Sequence, residues 1–349
     1  MALFGLGKKG KTVGLDVGSG LIKLAVVDHG SGEPELSKVA VAHALPYAIV
    51  EGDIMDPGVV ADAVRDFLDS AGVKQKQVVV AVGGRDVIVK KIQVDRMKAS
   101  EAYDVVRWEA QQHVPFDIEG VELDFQILDP DGDGVQMEVL LVAAKRELVE
   151  SKMNLLAEAG LEPSVVDVDS FALHNAFEVN YPAAMHGVAA LINIGHEVTN
   201  VNLLQDGIPV LTRDLSLGTR KFREDLQRER GMSAEDAEKL IQGFDRSPDL
   251  EPYVTSRGEE IAVGVERAAA FLQSASREAG NIQRVYCSGG GARIPGLTHV
   301  LGERLRLGVE TANPIQQLRV KEGVFDSINV DEVAPLLMLS VGLALRKAN

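Results

Sequence analysis

Cysteine occurs once in the 349-residue chain, as Cys287, so no internal disulfide can form and a reducing compartment suits the protein. Basic residues are also short: 36 Lys and Arg stand against 52 Asp and Glu, a formal net charge of −16. That balance argues against non-specific nucleic-acid binding, which needs a basic footprint to neutralise phosphates, and against direct contact with an anionic membrane. No apolar run reaches the roughly 18 residues of a membrane-spanning helix, and no cleavable apolar leader follows the start, so a cytoplasmic chain is expected. The opening "MALFGLGKKGK", with Lys8, Lys9 and Lys11, reads as a frayed end rather than an anchor. What the chain does have is 46% hydrophobic residues and a length beyond one ordinary core, which together imply a folded protein of two or more domains.

An internal repeat organises it. At a constant offset of 177 residues, "VGLDVGSGLIKLAVVDHG" (13–30) matches "ALINIGHEVTNVNLLQDG" (190–207), with Asp16 facing Asn193, Gly18 facing Gly195 and Gly30 facing Gly207. Each copy reads as strand, tight turn, returning strand and second turn. Two related α/β domains facing each other across a cleft are the expectation.

Between the copies, a helix over 57–71 stops at Gly72 and a buried strand runs through "QVVVAVGG". A further set follows: strand "VIVKKIQV", helix "ASEAYDVVRWEAQQHV" ended by Pro115, strands "VELDFQIL" and "VQMEVLLVAA", and helix "KRELVESKMNLLAEAG" stopped by Gly160. This suffices for a small α+β domain over 85–163. Beyond the second hairpin, helices are expected over 218–230, over 233–243 with Ser233 as N-cap, and over 258–279. A strand and glycine loop, "VYCSGGGARIPG", lead into another helix, and a last helix is expected over 333–347.

The chemistry sits in the turns. Alternation along "VGLDV" sends Val13, Leu15 and Val17 to one face and Asp16 to the other. Gly18 and Gly20 remove Cβ atoms that would hold a phosphate away from the backbone, and the turn gathers amides into an anion-binding concavity. A carboxylate beside phosphates needs a cation between them; a hydrated Mg²⁺ suits a single acid, and Lys23 can reach the same phosphates. A glycine-rich hairpin turn with a solvated Asp16 remains open on this stretch alone. Neither GxxxxGK[ST] nor GxGxxG is present there. "SGGGARIPG" (288–296) adds backbone bared by glycine, with Pro295 fitting the first turn of the helix that follows. Cys287 reads as a buried strand residue. "DPDGDG" (129–134) copies the start of a calcium loop, but its twelfth position is Leu140, so a hairpin turn explains it better; "HEVTN" lacks the second histidine of a zinc motif.

In sequence these motifs resemble the actin-like ATPase superfamily: "LDVGSGLIKL" its first phosphate motif, "INIGHEVTNV" its second and "CSGGGARIPGL" its adenosine motif. "VVDVDSFALHNAF" and "APLLMLSVGLAL" resemble its two connecting helices. An extra domain after the first hairpin is similar to the FtsA and PilM branch. The absence of an amphipathic tail after "RKAN", together with "EAQQHVPFDIEGVELDFQIL", looks most like the PilM family. The resemblance implies a two-lobed α/β, ribonuclease H-like ATPase fold with a small inserted α+β domain. Its segments are the first lobe over 1–84, the insert over 85–163, a connecting segment over 164–187 and the second-lobe core over 188–220. A helical part of that lobe follows over 221–280, then core with the adenosine loop over 281–332 and a closing first-lobe helix over 333–349. It further implies ATP and Mg²⁺, with Asp16 holding the metal through water. Gly18, Ser19, Gly20 and Lys23 would surround the phosphates from one side, and Asn193, Gly195, His196 and Thr199 from the other. Gly289, Gly290 and Gly291 would take the adenosine, with Lys221 and Glu224 near the base.

Asp169 falls where relatives position the attacking water, although an N-cap for the helix after it is an equal reading. The second phosphate motif normally begins with Asp, and Asn193 there implies tight binding with slow or absent hydrolysis. By resemblance the partner is the N-terminal cytoplasmic peptide of PilN, held between the first and inserted domains of an actin-like scaffold in type IV pilus assembly, with other inner-membrane and motor proteins nearby. Nucleic acid is no partner, and the membrane is met only indirectly, at the inner membrane through partners. An FtsA-like division filament and a small-molecule kinase of the same superfamily are the alternatives.

Overall fold

Val13, Leu15 and Val17 turn to one side of the first strand, and Gly14 to the other, and this alternation sets the layering of half the molecule. The computed structural model describes residues 10–30, 32–50, 52–275 and 280–346. Strands β1 (Lys11–Val17), β2 (Leu21–Asp28) and β3 (Glu35–His43) form a meander, followed by a small hairpin, β4 (Ile49–Val50) with β5 (Asp53–Ile54). Helix α1 (Pro57–Ser70) starts where the Asp56 carboxylate caps Val59 N at 3.2 Å and where Pro57 costs no hydrogen bond. Strand β6 (Gln77–Val82) pairs parallel to β1.

The inserted unit comprises β7 (Val87–Asp95), α2 (Ala99–His113), β8 (Val121–Ile127) and β9 (Gln136–Lys145), with its own core of Ile92, Val106, Ala110, Met137 and Leu141. Its "DPDGDG" stretch is a hairpin turn. Asp129 accepts from Glu138 N at 2.7 Å and from Arg96 at 2.5 Å, which holds its carboxyl below the ordinary range. The chain returns through α3 (Arg146–Glu158), β10 (Glu162–Val168) and α4 (Asp169–Asn180). The insert expected over 85–163 therefore ends early: Leu155, Leu156 and Leu161 pack with α1 in the first-lobe core, and β10 pairs parallel to β6.

The second lobe repeats the plan with β11 (Val188–Ile194), β12 (Thr199–Gln205) and β13 (Ile208–Leu215). Helices α5 (Thr219–Arg230), α6 (Ala234–Ile241) and α7 (Glu251–Ala275) follow, then β14 (Ile282–Ser288), a 3₁₀ turn at Gly290–Arg293 and α8 (Leu297–Leu305). Ser233 caps α6 through Asp236 N at 3.1 Å. α7 starts seven residues before the expected 258, with Pro252 in its first turn, and the expected stretch 276–279 lies outside the described residues. The helices expected to form a separate part over 221–280 share one core with the sheet, through Phe222, Leu240, Ile261 and Val285.

Short strands β15 (Val309–Thr311) and β16 (Arg319–Val320) precede α9 (Val330–Val333) and α10 (Met338–Leu345). The single helix expected over 333–347 is broken by a 3₁₀ turn at Ala334–Leu337, where Pro335 lacks an N–H; Lys347, like the leader 1–9, lies outside the described residues.

Sheet order makes the duplication plain. One lobe reads β10-β6-β1-β2-β3 and the other β15-β14-β11-β12-β13, each with two parallel strands beside an antiparallel meander. The insert's β7 adds to the edge of β13 through one residue pair, Leu211 with Lys90. Between the lobes lie α4 and α10, which share a core with Ala25 and Val79 on one side and Leu191 and Tyr286 on the other. Two glycines permit that layer: a Cβ on Gly14 would fall 2.2 Å from Ser340 O, and one on Gly342 only 1.7 Å from Ala172 O.

Candidate functional site

The two hairpins superpose in hydrogen bonding as well as in sequence. Asp16 pairs with Lys23 across β1 and β2, and Asn193 with Asn200 across β11 and β12. Gly18 N donates to Leu21 O at 3.1 Å, and Gly195 N to Val198 O at 2.9 Å. Both turns open on a cleft of about 930 Å³ between the lobes, and they meet there: a Cβ on Gly20 would lie 2.7 Å from His196 Cβ. The amides of Ser19, Gly20 and His196 donate to no acceptor among the described residues, so they remain available to an anion in the cleft.

Charged side chains line both sides of the cleft, with Asp16, Lys23, Lys152 and Asp169 on the first-lobe side and Asp214, Arg220, Arg223 and Arg293 on the second. Lys23 Nζ lies 2.5 Å from Asp16 Oδ2. Asp169 is the first residue of α4, whose N-cap is Val168 without a side-chain bond, so the N-cap reading of Asp169 is replaced by a carboxylate facing the cleft. It packs over Gly83, where a Cβ would come within 2.1 Å of Asp169 Oδ2. Enclosure first, and the Asp16 charge second, push its pKa up to about 7, with Lys152 opposing. Asp214 is raised by burial too, although Asn200 Nδ2 donates to it at 2.8 Å and Gly84 N–H also donates. Burial, with Arg223 nearby, lowers the pKa of His196 and favours a neutral imidazole, which lies 3.3 Å from Thr219 Oγ1.

The second-lobe end of the cleft is a slot between α5, α6 and the glycine loop. Gly289, at φ 81°, tucks so close beneath Ile194 that a Cβ would fall 2.4 Å from its carbonyl oxygen. Ile241 and Ile294 supply apolar surface there, and Arg293 stacks on Phe244, 5.9 Å from the ring centre. Asn200 and Arg223 line the cleft, and each has one sealed polar atom behind its wall, Asn200 Oδ1 and Arg223 Nε, without a hydrogen-bond partner among the described residues.

Of the residues expected from sequence, Asp16, Gly18, Ser19, Gly20, Lys23, Asp169, Asn193, Gly195, His196, Gly289 and Gly290 line the cleft. Thr199 does not: it is fully buried and its hydroxyl donates to Leu217 O at 2.6 Å. Gly291 lies behind the loop, where a Cβ would meet Ile194 Cγ2 at 2.1 Å. Lys221 and Glu224 turn away as a 3.7 Å surface pair, and Arg220, Arg223 and Gln227, spaced i, i+3, i+7, take the cleft face of α5 instead. Pro295 precedes α8, whose first residue is Leu297, so the glycine loop leads into the 3₁₀ turn rather than into that helix's first turn. Sequence reasoning missed Lys152; its signal was a lysine on the stripe Leu148, Lys152, Leu155, Leu156 that otherwise faces inward. Cys287 is fully buried, its thiol pushed up to about 12. No group of three metal-ligating side chains occurs among the described residues.

The profile of the family described as type IV pilus assembly protein PilM matches residues 14–348. The chain belongs to the PilM family. A solved structure described as the PilM-PilN type IV pilus biogenesis complex is 29% identical, covers 98% of this PilM-family chain and 99% of its own, and has a TM-score of 0.84. Cell division protein FtsA of Bacillus subtilis (strain 168) is 23% identical over 321 residues, 84% of this chain and 69% of that protein. The ethanolamine utilization protein EutJ from Carboxydothermus hydrogenoformans, 19% identical over 96% of this chain and 89% of its own at TM-score 0.58, shares the fold. The two-lobed actin-like architecture and a role as a pilus-assembly scaffold follow from PilM membership. No described helix is long and apolar enough to cross a membrane.

Proposed function

We propose that this scaffold works by holding ATP between its lobes and gripping a short extended peptide, the cytoplasmic N-terminus of PilN, in a groove between the first lobe and the insert. The observation that carries the nucleotide reading is the matched pair of glycine turns, whose unengaged amides at Ser19, Gly20 and His196 meet in one cleft. Anionic phosphates suit the amides of Ser19, Gly20 and His196, and a flat base suits the slot of Ile241 and Ile294. Mg²⁺, when bound, neutralises phosphate charge; Asp16, already paired with Lys23, fits it through water rather than directly.

Hydrolysis is expected to be slow. Asn193 carries no charge to orient a metal-bound water, and its Oδ1 is occupied by the Ser288 hydroxyl at 3.1 Å. Asp169 is the acid available to position water, and above pH 7 it is ionised. The similarity to the PilM-PilN complex supports the peptide partner, and it would bring the protein to the inner membrane through that partner. Titration of the purified protein with ATP and Mg²⁺ by calorimetry, followed by pull-down with immobilised PilN peptide with and without ATP, tests both halves. Binding of neither ligand would sink the proposal; growth of light scattering on adding ATP would favour a division-type filament.

A further inference from the structure

Lys152 is the cleft group left unexplained. Its side chain is half-buried and lines the cleft, yet it makes no ion pair with any described residue, whereas Lys23 is held by Asp16. The charges it feels are those of Asp169 and Asp16, and enclosure lowers its pKa. Those carboxylates stand beyond ion-pair contact and offset its desolvation only in part, and a multiply charged anion is the ligand that repays the remainder. Lys152 shares the first-lobe end of the cleft with Asp16 and Asp169, while the base slot of Ile241 and Ile294 belongs to the other lobe. A chain of phosphates running from slot to turns would place its last member nearest Lys152. On the nucleotide reading above, we propose that Lys152 binds the terminal phosphate of a nucleoside triphosphate, so that it sets the preference for triphosphate over diphosphate and passes that difference to the insert. The route is covalent and short: β9 ends at Lys145 and α3 begins at Arg146 with no residue between. A pull on Lys152 therefore acts on the helix that continues the insert's central strand, the differential contact that a two-state response requires.

The test compares wild type with Lys152→Met and Lys152→Arg, using a non-hydrolysable ATP analogue and ADP in calorimetry. Wild type is expected to bind the analogue about tenfold or more tightly than ADP; Lys152→Met loses that factor while its ADP affinity stays within about twofold, and Lys152→Arg keeps most of it. Equal losses for both nucleotides, or no loss, would overturn the role of Lys152 while leaving nucleotide binding intact. Wild type binding neither nucleotide would overturn the nucleotide reading and this proposal together. If Lys152→Met melts early, Lys152→Gln carries the comparison. Hydrogen exchange over 136–158 should be slower with the analogue than with ADP in wild type and equal in Lys152→Met; equal exchange in wild type would overturn the coupling to the insert.

Discussion

Replacing Asp169 with Asn should change how stability depends on pH, by an amount the cleft geometry sets. The carboxyl moves from 3.8 in the unfolded chain to about 7 in the folded one, chiefly because it is enclosed and faces Asp16. About three units at about 1.4 kcal/mol each make ionised Asp169 cost the fold about 4 kcal/mol above pH 7. Below pH 3.8 both states hold the proton and nothing is lost; the penalty grows as pH rises and levels off past the folded value. Between pH 5 and pH 8 it should grow by about 2–3 kcal/mol in wild type and not at all from an Asn at this position. Asp167 and Asp214 are raised in the same direction but are present in both proteins, so the difference reads Asp169 together with its coupling to Asp16, Asp214 and Lys152. Urea unfolding followed by circular dichroism, in EDTA and without nucleotide, gives both stabilities at each pH. The variant should gain on wild type by about 2–3 kcal/mol from pH 5 to pH 8, with unchanged urea sensitivity. A difference that stays constant within about 0.5 kcal/mol would refute the buried-acid account.

Gly342→Ala puts a methyl group 1.7 Å from Ala172 O, backbone against backbone, so α4 and α10 must separate; a loss of about 3 kcal/mol is expected by urea unfolding, and a loss under about 1 kcal/mol would count against the packing. Asn193→Asp keeps the Ser288 hydrogen bond and adds charge beside the phosphates, so phosphate release should rise severalfold; wild-type turnover already equal to the variant's would contradict the assignment of slow hydrolysis to Asn193. Cys287 should resist thiol reagents until the protein unfolds, and prompt labelling of native protein would contradict its burial.

The hairpins were legible because their signal is local: period-two alternation ending in glycines spaced for a tight turn, repeated 177 residues on. Strands β3 and β13 follow the second turns, the latter through Asp206 and Gly207 at φ 49° and 77°, and their register is fixed by pairing with β2 and β12. The edge of the insert was misjudged because α3 is amphipathic with either neighbour available; only tertiary packing assigns Leu155 and Leu156 to the first lobe. On α5 the helix was found but its inward face was off by one residue, and a 100° turn is enough to exchange Lys221 and Glu224 for Arg220 and Arg223. Asp169 was recognised, but whether its carboxylate capped its own helix depended on where α4 began.

The insert has divided loyalties. Its chain enters and leaves through the first lobe, by way of β6 and α3, while its sheet hangs on the second lobe by the single pair Leu211 and Lys90. The lobes themselves are joined through α4 and α10, so when they hinge, this thin seam is where the insert has to give. A peptide wedged beside it would act as a brace across the hinge, and the molecule could exchange grip on a partner for posture of its lobes without any contact between partner and nucleotide.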